Sequence, residues 1–133
     1  MIGTFEMIEA TADEYISKNR FHAYYMTVSG HLEYSFTGNS MAKKNKSAVE
    51  HLENSEAVKA YYACNIELDK AMEALLTKLE AAGVADKTLI VIAADHYPYG
   101  LEDKENENKY HYFDELAGHS VETNFELYKS ALI

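Results

Sequence analysis

A single cysteine, Cys64, excludes an internal disulfide and any cysteine-rich metal cluster. Positive charge is scarce as well: 12 Lys and Arg face 22 Asp and Glu, for a formal net charge of −10. That balance leaves no basic stripe with which to neutralise a phosphate backbone, so nucleic acid is not an expected partner. The one cluster of like charge, Lys43, Lys44 and Lys46, is short, interrupted by Asn45, and reads as a solvated loop. No apolar run approaches the roughly 20 residues that a membrane-spanning helix needs. The opening residues, MIGTFEMIEA, lack the basic-then-apolar order of an export signal. Glycine-rich phosphate loops, the G-x-S-x-G elbow and H-E-x-x-H are also missing. What is present is 133 residues, 47% of them hydrophobic, which suits one globular unit with a real core.

Periodicity organises that unit. Residues 4–18 place Phe5, Ile8, Ala12 and Tyr15 at steps of three and four, the spacing of an amphipathic helix. Residues 21–28, FHAYYMTV, are aromatic and β-branched with hardly any polar alternation, and read as a strand covered on both faces, with His22 packed inside it. Gly38-Asn39 signals a turn, and Ser47-x-x-Glu50 reads as a capping box for a short helix. Between Asn54 as N-cap and Gly83 just past the end, apolar residues at 57, 61, 64, 68, 72, 75 and 79 predict one long helix. A second doubly buried run, TLIVIAA at 88–94, predicts another strand. Weak helical character follows around 114–117, and the segment 124–133 reads as a strand at its end.

Strand, long helix, strand with continuously apolar strands describes a right-handed βαβ unit. The expected fold class is therefore α/β, a mostly parallel sheet covered by helices. Only about three strands can be counted where sheets usually have about four to six. The expectation is a partial domain, with residues 1–133 forming a piece of a larger one.

In such sheets ligands bind beyond the carboxyl ends of the strands. Two of the expected strands end in histidine: Ser29-Gly30-His31 after the first and Asp95-His96 after the second. A carboxylate beside an imidazole suits Zn, Mn or Fe better than Mg or Ca, and a metal held there acts as a Lewis acid toward a phosphoryl or sulfuryl oxygen. The same residues have a bland reading, Asp capping the turn that leaves a strand and His lying on the surface. His22, His51, His111 and His119 read as structural or solvated. Most of the eleven tyrosines, Tyr15, Tyr24, Tyr25 and Tyr61 among them, read as packing. On spacing alone an enzyme with a metal rim and a non-catalytic α/β interaction domain both stand.

The segments FHAYYMTVSGH, VKAYYACNIELDKAMEALLTKLEAAGVADKT and LIVIAADHYPYGL, in that order, resemble the C-terminal part of the catalytic domain in the lipoteichoic acid synthase and phosphoglycerol transferase group. That group belongs to the sulfatase-like, alkaline phosphatase superfamily, and the likeness covers roughly residues 5 to 133. It implies an alkaline phosphatase-like fold and a divalent metal, typically manganese, with Asp95 and His96 as two of its ligands. It also implies that His31 contacts the substrate phosphate, although Gly30 stands where the family usually has Asn. The implied reaction is a two-step transfer. A threonine attacks the phosphoryl group of a glycerophospholipid headgroup and displaces diacylglycerol, and a polyol or water then takes the phosphoglycerol. That threonine and a further carboxylate ligand belong to a region upstream of these residues, so no catalytic nucleophile is expected here. The implied location is the extracytoplasmic face of a bacterial membrane, with the anchor in upstream segments. A sulfatase or phosphodiesterase of the same superfamily is the alternative. Cys64, followed by Asn65, Ile66 and Glu67, does not fit the Cys-x-Pro/Ala-x-Arg pattern of formylglycine sulfatases.

Overall fold

The long helix predicted from its apolar period is the axis of the molecule. The structure, a computed structural model, describes residues 3–133. Two short helices, α1 (Thr4–Thr11) and α2 (Asp13–Ile16), are followed by an irregular stretch and by α3 (Ser40–Lys44) and α4 (Lys46–Val49). Then come α5 (Glu56–Ala81), α6 (His111–Ala117) and α7 (Phe125–Tyr128). At 26 residues, α5 runs about 39 Å. Ser55 rather than Asn54 caps its N-terminus, its hydroxyl accepting from Val58 N–H at 3.3 Å. Its C-terminus closes as a Schellman motif: Gly83 lies at φ +68°, its N–H donates to Glu80 O, and Val84 N–H donates to Leu79 O.

Three apolar clusters lie along α5. Ile8 of α1, Ile16 of α2 and Ala12 between them meet Ala71 and Leu79 at one end. Ala42 and Val49 from α3 and α4 meet Ala60, Ala63 and Cys64 near the other. Leu101, Phe113 and Leu127 form a third with partly buried Tyr34, Tyr61 and Tyr97. The expected N-terminal helix exists, broken near Ala12, with Phe5 and Tyr15 packed on its cluster as its period requires. The expected Ser47 capping box does not form: α4 begins at Lys46, with Asn45 at its N-cap position. Asn39 instead caps α3, its side chain accepting from the N–H groups of Met41 and Ala42.

The α/β expectation, a mostly parallel sheet covered by helices on the alkaline phosphatase plan, is overturned. The described residues contain helices and no strand; their one β-type pairing is an isolated antiparallel bridge between Ala93 and Leu132. Ile92 and Ile133 exchange backbone bonds there, at 2.7 and 3.0 Å. Residues 21–28 have no regular structure, and their one described backbone-to-backbone bond is accepted by Val28 O from His31 N–H. The strand expected at the end of 124–133 is likewise reduced to the place of Leu132 in that isolated bridge, with α7 ahead of it. The physical reason is that a helix satisfies its backbone within its own residues, whereas a strand needs N–H and C=O partners on another segment. Both runs therefore leave large side chains in solvent: Tyr24, Met26 and Val28 from the first, Leu89 and Val91 from the second. His22, expected to be packed, is exposed.

Candidate metal and phosphate site

His31 sits on a turn anchored from three sides. Ser29 is buried, and its hydroxyl accepts from Thr4 N–H at 2.9 Å and shares a 2.7 Å hydrogen bond with the Thr4 hydroxyl. His31 N–H closes the turn onto Val28 O at 3.1 Å. Asn39 Nδ2 donates to the carbonyls of His31 and Leu32. The next two residues, Leu32 and Glu33, lie at φ +25° and +54°, positive values that side-chain-bearing residues adopt only when their surroundings impose them. Tyr34 then returns toward the turn, its hydroxyl donating to Gly30 O at 2.9 Å. Burial, with smaller contributions from Tyr61, Cys64 and Tyr99, pushes the Tyr34 phenol above its ordinary range, so it remains a donor. The His31 side chain itself is exposed.

Asp95 and His96 leave the second irregular run together. His96 Nδ1 lies 2.8 Å from Tyr97 O, so Nδ1 is the donor there and Nε2 is the nitrogen left to face other groups. Nε2 faces Asp95 Oδ1 at 3.5 Å. Two ligands of one tetrahedral ion with bonds of about 2.1 Å stand about 3.4 Å apart, so the pair fits a shared divalent cation. The Tyr99 ring tilts against the imidazole at 4.8 Å between centroids. Tyr97 anchors the loop, with its hydroxyl on Glu102 at 2.6 Å and its ring against Phe113 and Tyr128. The donor pair stays open, the Asp95 side chain 89% exposed and that of His96 42%. Among the described residues, no group of three or more His, Cys, Asp or Glu is arranged to hold a metal. Asp95 and His96 stand as a pair, with no third such side chain arranged beside them among the described residues.

The structure brings the two loops together. A Cβ placed on Gly100 would stand 2.9 Å from both Leu32 Cδ2 and Tyr34 Cε2. The residue after the Tyr99 that covers His96 is thus in contact with the loop that carries His31. Beside Pro98, an open hollow of about 400 Å³ is lined by Phe113, Leu116 and Leu127, with His119 among its lining residues.

Neither Cys64 nor Ser29 is free to act as a nucleophile. Cys64 is fully buried, and burial pushes its thiol up to about 11. Ser29 is committed to Thr4. Two histidines read as bland in the sequence hold defined partners: His111 Nε2 lies 3.0 Å from Asp103 Oδ2, and His119 Nε2 2.9 Å from Glu126 Oε1. The partners are eight and seven residues apart, about two helical turns or roughly 11 Å along a helix and so beyond side-chain contact there, and no local pattern announced either pair.

A model of the sulfatase family matches residues 5–125. No curated protein and no solved structure matches the chain.

Proposed function

The chain belongs to the sulfatase family, and from that premise we propose that it forms the C-terminal part of the catalytic domain of a metal-dependent phosphoglycerol transferase, resembling lipoteichoic acid synthases, that acts on glycerophospholipid headgroups. The observation that carries this reading is the pairing of Asp95 Oδ1 with His96 Nε2 at 3.5 Å, close to ligand spacing, on a loop packed against the one bearing His31. A divalent metal held by Asp95 and His96, manganese on this reading, would supply Lewis-acid polarisation of a phosphoryl oxygen. His31, exposed on its braced turn, donates a hydrogen bond to a second phosphate oxygen and offsets its charge. That local help is needed because a net charge of −10 repels an anionic headgroup at long range. The hollow beside Pro98 gives the organic part of the substrate an apolar wall.

The attacking hydroxyl and the remaining metal ligands come from outside residues 1–133 on this reading, so the isolated chain turns nothing over. The setting is the extracytoplasmic face of a bacterial membrane, with anchoring supplied by other segments; no helix of the described residues is long and apolar enough to cross a bilayer.

Manganese titration of the isolated chain, followed by the loss of the free-ion paramagnetic resonance signal, tests the reading. Weak binding is expected, because two ligands do not close a site, and Asp95→Ala should weaken it further. Tight stoichiometric binding, or binding indifferent to Asp95→Ala, would contradict the assignment.

A further inference from the structure

We propose that Tyr34 and Gly100 are positioning residues that clamp the loop of His31 against the loop of Asp95 and His96. The inference deepens the proposed metal and phosphate site and rests on that reading for its chemical meaning.

Tyr34 touches both loops and the core. Its hydroxyl holds Gly30 O, one residue before His31, at 2.9 Å. Its ring meets Tyr61 of α5 edge-on, with centroids 5.1 Å apart, so the rigid axis of the molecule fixes its position. Its Cε2 and Cδ2 atoms fill the space where a Cβ on Gly100 would stand, at 2.9 and 3.3 Å, and Leu32 Cδ2 fills the rest. Real Cβ atoms do not approach other heavy atoms that closely, so a side chain at 100 would have to push the Tyr34 ring or Leu32 aside. The positive φ angles of Leu32 and Glu33 belong to the same device. They turn the chain back within three residues of His31, which brings Tyr34 under the turn and Leu32 against Gly100. Backbone strain of this kind persists only where the surroundings over-determine it, and here the surroundings are the neighbouring loop and α5.

The consequence is a fixed spacing between a phosphate-facing imidazole and a metal-facing pair contributed by segments more than sixty residues apart in sequence. A loop carrying His31 alone would leave that spacing to chance, and a displacement of about 1 Å at reacting groups costs about 100-fold in rate.

Nuclear magnetic resonance of the whole chain tests this in two arms. In the metal-free protein, Gly100 Hα should show nuclear Overhauser contacts to the Tyr34 ring, and their absence would overturn the clamp whatever metal binds. In Gly100→Ala the ring resonances of both His31 and His96 should move while Ile8, Ala71 and Leu79 keep their shifts; movement in only one loop would also overturn it. Substoichiometric Mn2+ should broaden His96 and His31 in the wild type. In Gly100→Ala the broadening of His31 should fall severalfold relative to that of His96. Tyr34→Phe, which keeps the ring and removes the bond to Gly30 O, should lower the same ratio by a smaller factor. An unchanged ratio in both variants would show that His31 is held by something else. If Mn2+ broadens neither histidine, or does so undiminished in Asp95→Ala, the metal reading fails, and the metal-free arm decides the clamp by itself. Should Gly100→Ala fail to fold, the wild-type contacts and Tyr34→Phe decide it.

Discussion

Glu67 is the residue that sequence periodicity handles worst. It lies on the buried face of α5, fully buried, where the 57–61–64–68 stripe points to apolar Leu68. The buried line in fact runs through Val58, Ala60, Ala63, Cys64, Glu67, Ala71 and Leu79, close beside the expected stripe and with a carboxylate in it. Glu67 is tolerated because Lys44 pairs with it at 2.9 Å and Asn45 Nδ2 donates to it at 3.2 Å. The two sides of that ion pair are unequal. Without Glu67, Lys44 keeps Glu6 at 2.7 Å, and Asn45 Nδ2 keeps the carbonyls of Met41 and Ala63. Without Lys44, a buried charge loses its counter-ion. Lys44→Met is therefore expected to cost about 3 kcal/mol and Glu67→Met less than half of that, with the double variant no worse than Lys44→Met alone. Urea unfolding of the three variants decides it; a larger loss for Glu67→Met than for Lys44→Met would refute the asymmetry.

At the level of elements, the turn joining α6 to α7 is held by ionisable groups and should respond to pH. His119 Nε2 meets Glu126 Oε1 at 2.9 Å, and Glu126 Oε2 accepts from Glu122 N–H at 3.0 Å. The Glu126 carboxylate raises the His119 pKa above the usual histidine value, helped by the Ala117 carbonyl. The Glu122 N–H and then His119 hold Glu126 below the usual carboxylate range. A raised imidazole contributes order that is complete below its unfolded pKa and is lost as pH rises through the folded one. A lowered carboxylate contributes order present above its unfolded pKa and lost as pH falls through its folded one. The Glu122 amide, measured against the unprotected exchange rate at each pH, should be best protected between the carboxylate and imidazole ranges and less so on both sides, and Glu126→Gln should flatten that dependence. A monotonic profile in the wild type would count against the pair. The helices around this turn also show what a sequence discloses. α5 was legible in existence and in its C-terminal end, because apolar spacing and Gly83 report on bonds made within the helix. The runs 21–28 and 88–94 were legible as apolar but not as to partner, because a ladder is a property of two segments. Asp95, His96 and His31 stood out as residue types, yet the contact of their loops through Gly100, Leu32 and Tyr34 depends on side-chain packing that no period encodes.

For the molecule as a whole, stability should be unevenly distributed along the chain. α5 touches all three apolar clusters and carries both of its caps, so its amides open only when the fold as a whole opens. The irregular runs are tied down at their ends. Ser29 on Thr4 fixes the close of 21–28, and the Ile92–Ile133 exchange fixes one point of 88–94. Between those points the backbone has no described backbone partner, and Tyr24, Met26, Val28, Leu89 and Val91 stand in solvent. Apolar exposure of this kind is an association hazard that a charge of −10 partly counters, since every copy repels every other. Hydrogen exchange read by mass spectrometry should therefore find peptides within 21–28 and 89–91 exchanging at nearly the unprotected rate at low protein concentration, while the middle of α5 stays protected far longer. Raising the salt concentration screens the repulsion, so it should increase protection in those same peptides as copies associate, and dilution should reverse it. Slow exchange across 21–28 in dilute, low-salt monomer would mean that this run has backbone partners after all, and would overturn the absence of sheet among the described residues.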